Sequence, residues 1–208
     1  MASSIATPRL LRLAILISGR GSNMAALLKA EAEGFFNTAS GQGFVALVLS
    51  NRPEAAGIAT ARAAHKPVCL LDHKAFESRH DFDAALSAVL QAANIDWVIL
   101  AGYDRILGLP VLSAFPDRIL NIHPSLLPKF GGKGMVGLSV HEAVLAAKES
   151  ESGCTVHSVI AQVDAGPILG QARVAVLPDD TPESLAARVL SAENALYPKV
   201  VRHHVLGA

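Results

Sequence analysis

Apolar residues fall along this chain in two rhythms. Nearly continuous runs alternate with stretches in which apolar positions recur every three or four residues. Residues 10–17 (LLRLAILI) and 43–50 (GFVALVLS) are runs of the first kind, as in strands covered on both faces of a sheet. Shorter runs at 67–71, 96–100 and 119–122 predict three further strands. Between them, 24–32, 55–64 and 76–93 read as helices, the last with Phe82, Leu86, Val89 and Leu90 on one side. This alternation predicts an α/β fold: a parallel sheet wound on both faces, with right-handed crossovers and ligands at the carboxyl ends of the strands. Further on, 140–148 reads as a helix, and 153–160 and 168–176 read as strands. A final helix opens at Thr181-Pro182-Glu183, with Thr181 as cap and Pro182 in the first helical position, and runs toward Tyr197-Pro198.

Composition narrows the function classes. The 208 residues are 51% hydrophobic and 17% charged, which fits one compact domain and excludes a disordered chain. Eighteen basic residues balance eighteen acidic ones without a basic block, so an extended nucleic-acid surface loses support while a small anionic ligand does not. No apolar run reaches the roughly 18 residues of a membrane helix. Cys69 and Cys154 lack metal-ligand spacing and read as small buried residues in a reducing compartment. Residues 1–9 lack the apolar core of a secretion signal. They are expected to be a loose tail on a single cytoplasmic domain spanning 10–208.

Two segments carry candidate chemistry. Ser18-Gly19-Arg20-Gly21-Ser22-Asn23 joins a strand to a helix, the arrangement in which backbone amides at a helix start cradle an anion. Ser22 or Asn23 can cap that helix. Position 24 is Met where a dinucleotide fingerprint has Gly, and the lysine of a triphosphate loop is missing, so a monophosphate fits best. A tight turn without a ligand has the same pattern. The second segment is Asn121-Ile122-His123-Pro124-Ser125-Leu126-Leu127-Pro128. Asn121 and His123 alternate at a strand end, so both can face one side. A carboxamide beside an imidazole can stabilise an oxyanion and move a proton; a strand leaving the core with a capping histidine would look alike.

Other polar positions have dual readings. Asp164, in the turn Val163-Asp164-Ala165-Gly166-Pro167, is either a turn former or the carboxylate that orients an imidazole. Arg105 reads as a surface ion pair, His141 as a surface or capping residue, and Glu193 as solvated unless its helix faces the cleft. His157 is either a satisfied core histidine or a cleft residue. Four glycines make 129–139 a mobile loop that covers or flanks a site.

Taken together, the segments 17–23, 50–52, 100–107, 121–128, 153–157 and 164–166 run in the order of the phosphoribosylglycinamide formyltransferase family, which this chain resembles from Leu10 onward. The N-I-H-P-S-L-L-P string with V-D-x-G downstream carries the formyltransferase likeness, and S-G-x-G-S-N narrows it to the ribonucleotide enzymes. The resemblance implies a mostly parallel sheet of about seven strands, Rossmann-like in its amino-terminal half. It implies Asn121, His123 and Asp164 as catalytic residues. Gly21, Ser22, Asn23 and Glu193 would hold glycinamide ribonucleotide. Arg79, Asp104, Arg105, Ile106, Leu107, Asn121 and Ile160 would line a folate pocket, with His157 in support. The co-substrate would be 10-formyltetrahydrofolate, with no metal, and the state a monomer or homodimer. Two features depart from the family: Asp104 stands where an apolar Met is frequent, and the 129–139 loop is longer than in the shorter members. The alternatives are a sugar N-formyltransferase, a formyltetrahydrofolate deformylase, which normally adds an amino-terminal regulatory domain where about nine residues precede the first expected strand here, and a methionyl-tRNA formyltransferase, which normally adds a carboxyl-terminal tRNA-binding domain where this sequence stops soon after Tyr197. A nucleotide-binding module without chemistry would keep Gly19 to Asn23 but not the trio.

Overall fold

The computed structural model describes residues 9–208. All but the last of the residues expected to form a loose tail lie outside that range; Arg9 itself opens the first strand. Seven strands, β1 (Arg9–Ile17), β2 (Gly41–Ser50), β3 (Val68–Leu70), β4 (Trp97–Leu100), β5 (Ile119–His123), β6 (Glu151–Ser158) and β7 (Ile168–Ala175), form one sheet in the order β3-β2-β1-β4-β5-β6-β7. β1 to β5 are parallel to one another, and β6 and β7 each run antiparallel to the strand before them. The predicted α/β fold is therefore observed, with the parallel part confined to the stretch where strands and helices alternate.

The near-continuous apolar runs have a simple cause. Along β1, Leu11, Leu13, Ile15 and Ile17 join a core with α1 (Ser22–Ala32) and α6 (Pro182–Leu206), which also takes in Ala61 of α2 (Gly57–Ala63) and Val144 of α5 (Leu138–Ala146). Ala14 and Leu16 join the other core, with α3 (Arg79–Ala92) and α4 (Leu109–Ala114). A strand covered on both sides needs apolar residues at every position. The short α4, with Pro110 in its first turn, has too little periodicity to be read from sequence.

Helix α6 extends past its expected end. Pro198 lies inside it, where the missing N–H ordinarily breaks a helix. Buried Val200, Val201, Val205 and Leu206 carry it on to Gly207, whose left-handed backbone closes it. Deep in the core, the Tyr197 hydroxyl lies 2.9 Å from the Leu100 carbonyl and 3.2 Å from that of Leu120, tying α6 to the ends of β4 and β5.

Candidate active site

β1 begins the sheet's leftward run toward β3 and β4 begins its rightward one, so the chain diverges between them and opens a crevice at their carboxyl ends. A cavity of about 940 Å³ lies there, and most of the residues singled out from the sequence line it.

At one end is the glycine turn. Gly21 takes a left-handed conformation (φ 72°) immediately before α1, and an added Cβ would sit 3.1 Å from the Gly57 Cα. Neither Ser22 nor Asn23 caps the helix, contrary to the expectation from sequence: Ser22 is its first residue, and no side chain accepts from the first turn. The amides there remain available to an anion. Asn23 instead donates from Nδ2 to Glu193 Oε2 at 2.8 Å across 170 residues of sequence. Its Oδ1 is buried without a partner. Glu193 lines the cavity, so α6 does face the cleft; the residue is 6% exposed, and burial pushes its carboxyl up to about 7 against the Asn23 hydrogen bond.

At the centre, the pairing of β5 with β6 sets Asn121 directly opposite His157. Directly paired residues project from the same face, and Asn121 Nδ2 approaches His157 Nε2 at 3.1 Å. His157 Nδ1 lies 2.9 Å from the Ser158 carbonyl, so that nitrogen carries a proton. Its Nε2 also faces Asp164 Oδ1 at 3.5 Å. A neutral ring accepts from Asn121, and a protonated one donates to Asp164.

Two residues along β5, His123 brings Nδ1 to 3.5 Å from Asp164 Oδ2. Asn121, His123 and Asp164 thus meet at one wall, with His157 among them. Burial is the main influence on the His123 ring and lowers its pKa; the Phe130 carbonyl and Asp164 oppose it. Burial works to raise the Asp164 carboxyl. His157, the Gly132 amide and the His123 charge outweigh it, and the carboxyl titrates below its ordinary value.

Sequence reasoning missed the part played by the loop after Pro128. The Phe130 carbonyl accepts from His123 Nε2–H at 2.8 Å, and Gly132 N–H donates to Asp164 Oδ2 at 2.9 Å. Backbone groups leave no residue-type signal, so only the run of glycines hinted at this. Phe130 (φ 55°) and Asp164 (φ 53°) are both left-handed, which non-glycine residues adopt at a cost where the surroundings impose it. His141 also corrects the sequence reading. It is buried and lines the cavity, because it follows Val140 on the inward face of α5.

At the far end, residues 102–107 form the wall. Arg105 stacks over Phe82 at 5.2 Å from the ring centre instead of forming a surface ion pair. Asp104 lines the cavity, but its carboxylate is engaged by Asn51 Nδ2 at 2.9 Å, by the Ser18 hydroxyl at 2.8 Å and by the Arg52 guanidinium. Burial opposes its charge; those donors prevail and lower its pKa. Arg79 is not brought into the cavity. It stands behind the wall, donating from Nη2 to the Ile106 carbonyl at 2.7 Å. Ile160 lies just past the end of β6 and, with Ile106, Val136 and Leu138, exposes apolar surface along the rim. Cys154 is buried as expected, whereas Cys69 on the short β3 is only partly so; both are free thiols. Among the described residues, no group of three His, Cys, Asp or Glu is placed to hold a metal ion, and no helix is long and apolar enough to cross a membrane.

Comparison with known proteins bears on the family of the chain. The profile described as Formyl transferase matches residues 11–201. The chain is 36% identical over 191 residues to phosphoribosylglycinamide formyltransferase of Haemophilus influenzae, covering 92% of this chain and 85% of that one. It is 43% identical over 199 residues to a trifunctional purine biosynthetic protein of Drosophila melanogaster, spanning 94% of this chain but 14% of that protein. With the chloroplastic phosphoribosylglycinamide formyltransferase of Arabidopsis thaliana it shares 41% identity, spanning 93% of this chain and 65% of the plant protein. Among solved structures, glycinamide ribonucleotide transformylase 1 from Symbiobacterium toebii superimposes with a TM-score of 0.89 at 44% identity, over 99% of this chain and 94% of the other. A profile spanning residues 11–201 and relatives matched along most of both chains decide the family: the chain belongs to the formyl transferase family.

Proposed function

We propose that this protein transfers the formyl group of 10-formyltetrahydrofolate to the amine of glycinamide ribonucleotide, in the cytoplasm and in the service of purine synthesis. The observation that carries the proposal is the convergence of Asn121, His123 and Asp164 on one wall of a cleft with a phosphate cradle at one end and an apolar rim at the other. The names of the similar proteins supply the choice of substrates.

The ribonucleotide phosphate sits on the amides of Gly21, Ser22 and Asn23, where the helix dipole favours negative charge. Asn23 Oδ1 and the Glu193 carboxylate are acceptors at the same end, suited to the ribose hydroxyls. The pterin lies against residues 104–107, Asn121 and Ile160, with Arg105 serving the acidic end of the folate and Arg79 bracing that wall from behind through the Ile106 carbonyl.

The amine attacks the formyl carbon, a carbon–nitrogen bond forms, and the carbonyl oxygen becomes an oxyanion. Asn121 Nδ2 carries a second hydrogen besides the one that meets His157, and donates it to that oxygen. His123 Nε2–H exchanges the Phe130 carbonyl for the same oxyanion. The His123–Asp164 pair receives the proton released by the attacking nitrogen and returns it to N10 of the folate as the bond from that nitrogen breaks. A lowered His123 pKa suits the first half of the task, since the ring starts neutral; charged Asp164 then stabilises the imidazolium.

The test mixes purified protein with 10-formyltetrahydrofolate in the presence and absence of glycinamide ribonucleotide and follows tetrahydrofolate release. Release that depends on the ribonucleotide is expected. Equal release without it would replace transfer by hydrolysis and overturn the proposal.

A further inference from the structure

Asp83 has no place in the chemistry above, yet it is a carboxylate only 2% exposed, on the inner face of α3 among Phe82, Leu86 and Leu90. Burying a carboxylate costs stability unless charges and donors surround it. The groups that do so come from the cleft wall or from Arg79, which grips it. Arg79, one helical turn earlier, places Nε 3.5 Å from Asp83 Oδ2 while its Nη2 holds the Ile106 carbonyl. The Gly108 amide faces the same carboxylate, and the Arg105 guanidinium adds its charge from above Phe82. Position 108 has no room for a side chain, because a Cβ there would overlap Asp83 Oδ2. The wall is thus held at Ile106 through Arg79 and directly at Gly108. In a trans peptide the C=O and N–H point opposite ways, so anchoring the Ile106 carbonyl also fixes the direction of the Leu107 N–H.

We propose that Asp83 is a positioning residue for the folate wall: from behind, it aligns Arg79 and Gly108 so that the backbone of residues 105–107 meets the pterin in one fixed orientation. This rests on the folate assignment made above. An apolar residue would fill the same place in α3 at lower cost, whereas only an acceptor can engage a guanidinium and an amide together.

The experiment is steady-state kinetics of Asp83→Asn in the full chain, with each substrate varied in turn. Asparagine keeps the shape and gives up the charge. The KM for 10-formyltetrahydrofolate is expected to rise about tenfold, the change expected on losing one charge-assisted contact, while kcat and the KM for the ribonucleotide stay within about twofold. Gly108→Ala approaches from the other side, since its methyl displaces the carboxylate, and the same selective rise is expected; it carries the test if Asp83→Asn does not fold. An unchanged folate KM in either folded variant overturns the inference and leaves the proposed function standing. Parallel losses in kcat and both KM values also overturn it, because a general loss of structure would do the same. A wild-type protein without transfer overturns the proposed function and this inference with it.

Discussion

Asn121 and His123 sit two positions apart on β5 and differ in how they are held. Asn121 is fixed across the strand pair by His157, whereas His123 is fixed by a loop carbonyl and by Asp164. With Asn121 as the oxyanion donor proposed above, Asn121→Ala is expected to lower kcat by about a hundredfold or more, with a well-folded protein by circular dichroism. A near-normal kcat would remove the amide from the mechanism. Glu193 makes a different prediction. Its carboxyl, ordinarily at 4.5, titrates at about 7 because it is buried. Between those values the folded chain binds more protons than the unfolded one, so this group's stabilisation is full below 4.5 and disappears as pH rises through about 7. Glu193→Gln should flatten that dependence and stabilise the protein by at most about 3 kcal/mol at about pH 8, judged by urea unfolding there and at about pH 5.5. If wild type and variant lost stability equally between the two conditions, the buried charge would not be the cause.

The loop between β5 and α5 matters through its backbone. Gly131 has no room for a side chain: a Cβ would come within 2.5 Å of Leu127 Cδ2 and 3.3 Å of Asp164 Cβ. Gly131→Ala should therefore shift Asp164 away from His123 and lower kcat by roughly tenfold, with less effect on either KM; a variant with wild-type turnover would show that the loop yields without disturbing the pair. Tyr197 plays the corresponding part for α6. Losing its hydroxyl in Tyr197→Phe should cost roughly 1 kcal/mol in chemical unfolding, because a buried donor to the Leu100 and Leu120 carbonyls is lost; an unchanged midpoint would mean that those carbonyls are satisfied without it. Such ties explain what could and could not be read from sequence. The strands and long helices were legible because β1 and β2 are apolar along most of their length, with Arg12 the one interruption inside the β1 run, and Phe82, Leu86 and Leu90 repeat at helical spacing. The turn at Gly21 and the Asn121-x-His123 pair were legible because each depends on residue type. The Phe130 carbonyl and Gly132 amide were not, since every residue has these groups. His141 and Asp83 were hidden for another reason: a polar side chain on the apolar face of a helix looks like an exposed one until its neighbours are placed.

The sheet divides the molecule into two cores, and the cleft receives walls from both. Helices α1 and α6 bring the glycine turn and Glu193 from one side; α3 and α4 support residues 102–108 from the other. A ligand spanning the cleft would bridge the two. Saturating ribonucleotide at about a hundred times its Kd should raise stability by about 2.7 kcal/mol, and amide exchange should slow most at the start of α1 and near Glu193 on α6. Slowing spread evenly over α3 and α4 instead would place the ribonucleotide at the wrong end.

The hydrogen bond from Asn23 to Glu193 has a consequence for synthesis. A ribosome releases the chain from its amino terminus, so the glycine turn and the trio are all made before residue 193 emerges. Until then Asn23 lacks its acceptor partner, and the end of the crevice beside the glycine turn is unfinished. That end of the crevice is completed only when α6 lies down across α1.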